Sequence, residues 1–177
     1  MLLTKELLRP ESGEYCACDG GYGWFVANFP EGAEYQTVLD ALATNDERDC
    51  SDWARWLYEQ VGTEPVETVI EGDLIAKRAF FAGSIKVTGK IEIEFSFTAG
   101  LYISAGLHIS AGGGISAGDG ISAGDGISAR RHISAGDGFG IYAGLRVKLA
   151  NWSTYARITA KVKPENIVSG FWAEMTE

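Results

Sequence analysis

From residue 99 the chain reads AGLYISAGLHISAGGGISAGDGISAGDGISARRHISAGDGFGIYAG. An apolar anchor returns at every sixth position: Ile103, Ile109, Ile115, Ile121, Ile127, Ile133 and then Phe139. The same phase runs back through Phe97, Ile91 and Ile85, which makes ten anchors in one register. Beneath the hexad lies a strict alternation. Odd positions from 85 to 111 carry Ile, Val, Phe, Leu, Ala or Gly, while the even ones are mostly Lys, Thr, Glu, Ser, Gly or His. A period of two marks a strand with one buried face. No strand runs that far, so the chain must turn at fixed intervals while keeping the same side inward. Short strands coiled upon one another satisfy this, with Gly at corners where a side chain would clash. In Ile-Ser-Ala-Gly-Asp-Gly, Ile and Ala point in, Ser points out, and Gly-Asp-Gly makes the corner.

Such a parallel β-solenoid has two natural sections. Three hexads per coil give 18 residues and a triangle, the preferred reading; two give 12 and a flattened coil. At 18, the residues from Val66 to Leu149 make nearly five coils, a stack of roughly 22 Å at about 4.8 Å per layer. Asp119, Asp125, Asp137 and Arg131 share the inward phase. A buried, unpaired carboxylate costs several kcal/mol, so they belong at corners. A coil of 18 stacks Asp119 on Asp137, whereas 12 stacks it on Arg131, which favours the flat form. Both coil sizes stand. Each end of a solenoid exposes unpaired strand edges. The N-terminal helices are placed to cap one end. At the other, Ile158, Ala160 and Val162 form a strand ended by Pro164, and Phe171 and Trp172 plug the last coil.

Charge divides the chain differently. Residues 1–72 hold 15 acidic and 4 basic side chains, a net of −11, while residues 73–177 hold 9 and 11, a net of +2. A module so poor in Lys and Arg is ill suited to phosphate contacts, so no direct nucleic-acid binding is expected of it. The chain lacks an apolar run long enough for a bilayer span. MLLTKELLRPESGE lacks the basic-then-apolar order of a signal peptide, which predicts a soluble cytoplasmic protein.

The acidic module reads as helical. Tyr35, Val38, Leu39 and Leu42 fall on one helix face, with Glu31 and Glu34 near its start and Pro30 before it. In SDWARWLYEQVG, Ser51 is a suitable N-cap, Trp53, Trp56 and Leu57 form the inner edge, and Gly62 is a stop. Tyr22, Trp24, Phe25 and Phe29 add core. Leu2, Leu3, Leu7 and Leu8 suggest a leading helix stopped near Pro10. With these residues inside, Asp40, Asp46, Glu47, Asp49, Asp52 and Glu59 face water, either merely solvated or as a docking surface for a basic partner. The fold class is therefore α+β: an acidic helical module over 1–64, a parallel β-solenoid (β-helix) of hexad repeats over 65–149, and a C-terminal strand and capping segment over 150–177.

Little in the chain carries chemistry. Cys16, Cys18 and Cys50 are too few for a disulfide framework and read as free thiols, with no metal or cofactor expected. His108 and His132 lie on the outward phase, 24 residues apart. The repeats have no insertion from residue 99 to 138 with which to build a pocket beside them, so no catalytic residues are assigned and the chain is read as non-enzymatic. Gly-Asp-Gly corners supply too few acids for a calcium cage of six to eight oxygens. The single outward Ser row, 104 to 134, matches an ice-binding array poorly.

The hexad stack resembles the polymer-forming β-helical bactofilins and, more loosely, the left-handed hexapeptide-repeat helices. It departs from the latter by placing Asp, where they want a small residue, two before the anchor. The stretch WFVANFPEGAEYQTVLDALATN followed by DWARWLYEQVG resembles a small helical module at the front of phage and prophage accessory proteins. Trp24, Phe25, Asn28, Phe29, Pro30, Gly32, Ala33, Tyr35, Val38, Leu39, Leu42, Asp52, Trp53, Ala54, Trp56 and Leu57 carry that resemblance. Proteins of this kind include counter-defence inhibitors such as anti-CRISPR proteins. The resemblance implies a non-enzymatic inhibitor in the host cytoplasm, bound through its acidic surface to a basic nucleic-acid-handling defence complex of the CRISPR-Cas type. The alternative is a structural protein whose solenoids stack end to end as a homo-oligomer.

Overall fold

The computed structural model describes residues 1–9, 17–46 and 49–175. A helical head precedes a β-solenoid of about six turns. In the head, β1 (Leu2–Leu3) pairs antiparallel with β2 (Ala33–Glu34), and α1 (Lys5–Leu8), α2 (Asp19–Asn28), α3 (Tyr35–Thr44) and α4 (Cys50–Gln60) surround a common core. Tyr35, Val38, Leu39 and Leu42 are all buried on one side of α3, as their spacing requires. The leading segment is not one helix. Leu2 and Leu3 are taken by the strand pairing, and α1 starts only after Thr4, whose hydroxyl accepts from the Leu7 amide at 3.3 Å. Asp49 rather than Ser51 holds the N-cap position of α4. Cys18 caps α2, its Sγ accepting from the Gly21 amide at 3.4 Å, and Cys50 is buried. Cys16 lies outside the described residues.

The first coil consists of β3 (Glu67–Ile70), β4 (Leu74–Ala76) and β5 (Ala79–Phe81). The second has β6 (Ser84–Val87), β7 (Ile91–Ile93) and β8 (Phe97–Ala99); the third has β9 (Ile103–Ala105), β10 (Ile109–Ala111) and β11 (Ile115–Ala117). The fourth has β12 (Ile121–Ala123), β13 (Ile127–Ala129) and β14 (Ile133–Ser134). Two partial turns follow: β15 (Ile141–Tyr142) with β16 (Arg157–Thr159), separated by α5 (Trp152–Tyr155), and then β17 (Ile167–Ser169) with β18 (Phe171–Trp172). Successive strands of the coils pair in parallel from one turn to the next, forming three flat faces. The first and second faces have six strands each, and the third has four.

Ile91, Ile109 and Ile127 share one column, an 18-residue spacing that settles the coil as triangular. The electrostatic case for a 12-residue coil rested on stacking Asp119 over Arg131 instead of over Asp137. No charged side chain is buried among the described residues, and Asp137 is exposed, so water screens the corner carboxylates. Within each strand the buried–open–buried pattern of Ile-Ser-Ala repeats, and the stacked Ile and Ala side chains form the continuous solenoid core.

The hexad breaks after Ile133. Phe139, the expected anchor, is 39% exposed and lies edge-to-face on Tyr102, and Ile141 takes the buried place above Ile121. Two additional residues enter at a turn through Gly138, whose φ of +81° suits glycine alone. The columns also extend past Leu149: Ile158 stacks on Ile127, and Ile167 on Ile141. Ala160 is buried with Ile158, but Val162 is 67% exposed because the strand has ended at Thr159.

The head does not cover the whole first coil. Among the described residues it docks on the third face, where Phe80 and Ala82 join its core. Here α3 supplies what a preceding strand would have supplied. The Gln36 side-chain amide donates to the Phe80 carbonyl at 2.8 Å and accepts from the Ala82 amide at 2.9 Å. One amide thus reproduces a rung of the β-ladder and satisfies the edge of β5. The Tyr58 hydroxyl donates to the Phe81 carbonyl at 3.2 Å, and Arg78 donates to the Asn45 carbonyl at 2.9 Å.

Candidate partner-binding surface

The acids singled out by sequence divide into two groups. Asp40 and Asp46 sit at the seam between head and solenoid. The Asp40 carboxylate accepts from the same Gln36 amide at 2.8 Å, and Asp46 lies 3.3 Å from the Lys77 ammonium. Asp52 and Glu59 lie on α4, and Asp49 sits at its N-cap. Positions 52 and 59 share a helix face, and Arg55 stands between them, 2.7 Å from Asp52 and 4.0 Å from Glu59. Asp52, Arg55 and Glu59 are each more than half exposed, so these pairs add little to stability and remain open to exchange with a partner's cations. Glu47 lies outside the described residues.

Trp24, Trp53 and Trp56, expected in the core, are half-buried. A small domain cannot enclose three indoles fully, so they wall a shallow apolar pocket between α2, α3 and α4 with Phe25 and Leu57 at its base. Trp24 lies tilted against Trp53, ring centroids 5.9 Å apart, and edge-on to Phe29. Burial pushes the Tyr58 phenol well above its ordinary pKa, with its neighbour Tyr35 adding to the effect. The Tyr35 phenol is likewise raised by burial, with Glu64 as a lesser cause.

The two histidines occupy different corners. His108 precedes β10 on the second face, its Nε2 3.3 Å from Glu92 Oε1, and Lys90 Nζ stands 3.0 Å from the same oxygen. Hydrogen bonds from Lys90 first, and from His108, hold the Glu92 carboxyl below the usual range. His132 precedes β14 on the third face and lies 3.2 Å from the Ser116 hydroxyl, above Gly114. The two imidazoles therefore share no site. Among the described residues no group of three or more His, Cys, Asp or Glu is arranged to hold a metal ion. No helix among them is long and apolar enough to cross a membrane.

Sequence reasoning missed the excursion between β15 and β16. Repeats end at residue 138 and the next anchor is not evident, so nothing in the hexad pattern announced where the chain would rejoin its columns. The signal was the interrupted spacing itself: Ile141 and Ile158 are adjacent anchors 17 positions apart instead of six.

A family model described as the YdhT N-terminal domain matches residues 1–63, and the head is similar to that family over this span. The match stops where the chain leaves the head for the coils. No curated protein and no solved structure matches the chain.

Proposed function

We propose that the protein is a non-enzymatic binding protein whose head docks on a basic surface of a protein partner, with the solenoid as a rigid body behind it. The exposed stripe of Asp49 at the N-cap of α4 and Asp52 and Glu59 on the helix carries this reading. It stands in a segment of net charge −11, which steers association toward a positive surface. The half-buried indoles beside it offer the aromatic anchors on which such interfaces concentrate their energy. The head's resemblance to phage accessory modules supplies the partner class, a nucleic-acid-handling defence complex of the CRISPR-Cas kind. A tagged pull-down from a bacterial lysate containing such complexes, washed at about 0.05 and 0.3 M salt, tests it. Retention at low salt, release at high salt, and loss on Asp49→Lys, Asp52→Lys and Glu59→Lys support the proposal. Recovery of the bait alone, or binding unaffected by those reversals, refutes it.

A second reading, end-to-end stacking, is favoured by the shape of the ends. The first and second faces both begin on an outermost strand, β3 and β4, and both finish on one, β17 and β18. Among the described residues the head satisfies the edge of the third face, so a following copy has two matched edges to extend. Sedimentation velocity across a wide concentration range distinguishes this reading: growing oligomers support it, and a monomer at all concentrations removes it.

A further inference from the structure

The longest departure from the coils among the described residues is the excursion over residues 144–156, and it is tied down firmly. The Gly144 amide donates to the Asp125 carbonyl at 2.7 Å, and the Arg146 amide to the Gly124 carbonyl at 2.8 Å. The Trp152 indole closes the loop on itself by donating to the Val147 carbonyl at 3.1 Å. This pins the excursion against the corner between the first and second faces. His108 stands at that corner, and one coil above it the column holds Gly126, without a side chain. An open groove of about 630 Å³ results, lined by His108, Asp125, Arg146, Lys148, Asn151 and Tyr155 among others.

The lining has a definite chemistry. Arg146 and Lys148 supply a guanidinium fork and a point charge, and no carboxylate among the described residues pairs with either. Their combination suits a phosphate better than a lone carboxylate, because one charge can bind bidentately while the other neutralises. Asn151 and Tyr155 add neutral donors. Asp125 is the one acid in the lining, and its carboxylate accepts no hydrogen bond from a described residue. Its charge repels the phosphoryl oxygens, and it is matched best by a neutral donor such as a hydroxyl group placed beyond the phosphoryl group. Glu92 orients His108 beside it at 3.3 Å.

We propose that this groove binds a small phosphate ester bearing hydroxyl groups, of the sugar-phosphate class. Arg146 and Lys148 hold the phosphoryl group, and Asp125 accepts from a ligand hydroxyl. The site is independent of the head and of any partner bound there.

Titration calorimetry of the full chain with glucose 6-phosphate and, separately, inorganic phosphate tests the assignment at about 0.05 M salt. The sugar phosphate is expected to bind at one site and more tightly than inorganic phosphate. R146Q with K148Q should weaken both probes by about tenfold or more, the scale of one lost charge-assisted contact. D125N removes a negative charge from beside the phosphoryl group, so it should leave inorganic phosphate no weaker while abolishing the sugar phosphate's advantage over it. All three side chains are at the surface, and unchanged circular dichroism confirms that the variants fold. No heat from either probe up to about 10 mM overturns the proposal. So does binding that survives R146Q with K148Q but is lost on K161Q with K163Q, two lysines that line a separate groove beside Trp172. Equal affinity for the two probes, insensitive to D125N, overturns the hydroxyl assignment.

Discussion

Replacing Gln36 by Leu isolates the contact on which the union of head and solenoid depends. The side chain satisfies the Phe80 carbonyl at 2.8 Å and the Ala82 amide at 2.9 Å, and those residues are 2% and 0% exposed. Leucine is similar in size and helix propensity, so α3 itself is unaffected. What changes is that a buried acceptor and a buried donor lose their partners, each at about 1–3 kcal/mol. The added apolar burial returns roughly 1 kcal/mol. The net expectation is a loss of about 1–5 kcal/mol, read as a lower urea midpoint followed by tryptophan fluorescence. Faster hydrogen exchange at the Ala82 amide should accompany it. Gln36→Glu adds a sharper version. At neutral pH its carboxylate still accepts from Ala82 but faces the Phe80 carbonyl and Asp40, so it should be as damaging as leucine. As pH falls and the new carboxyl gains a proton, it can donate again and stability should recover relative to Leu. A loss below about 0.5 kcal/mol for Gln36→Leu would mean that water satisfies the β5 edge and that the ladder-rung argument is wrong.

Other perturbations test the coils and the head. A Cβ at Gly118 would stand 1.9 Å from the Gly100 carbonyl oxygen, so Gly118→Ala should cost about 3 kcal/mol or more by thermal unfolding. A Cβ at Gly23, on helix α2, would meet nothing within 4 Å, and Gly23→Ala should stabilise the head by about 0.5–1 kcal/mol. Ile115→Ala, at a fully buried anchor mid-stack, should cost about 2–5 kcal/mol in urea unfolding. Tyr35 and Tyr58 have folded pKa values raised above the unfolded value of about 10. Their neutral forms therefore stabilise the head fully below that pH, and the contribution is lost as pH rises beyond it. Phenolate absorbance from these two should appear late and together with head unfolding.

The legibility of this chain follows the range of the forces involved. Alternation and the hexad are local, and every Ile from Ile85 to Ile133 in the anchor register is buried where its phase requires. The α3 face was equally plain, because four apolar residues at helical spacing admit one buried side. Phe139 misled because an apolar residue in the right phase is indistinguishable by sequence from its neighbour Ile141, which reaches the column only through the turn at Gly138. The acids were visible as a charge cluster. Their division into a seam pair, Asp40 and Asp46, and an α4 stripe depends on where the head docks, which no local pattern encodes.

The sequence by itself determined which side chains point inward and that the strands must coil, because side-chain alternation is a property of each strand alone. Only the tertiary structure decided that three faces and not two close a turn, that the head satisfies the edge of the third face, and that residues 144–156 fold against the His108 corner. Each of these is a choice among packings of the same local elements, settled by contacts between residues far apart in the chain: Ile109 on Ile127, Gln36 on Phe80, and Gly144 on Asp125.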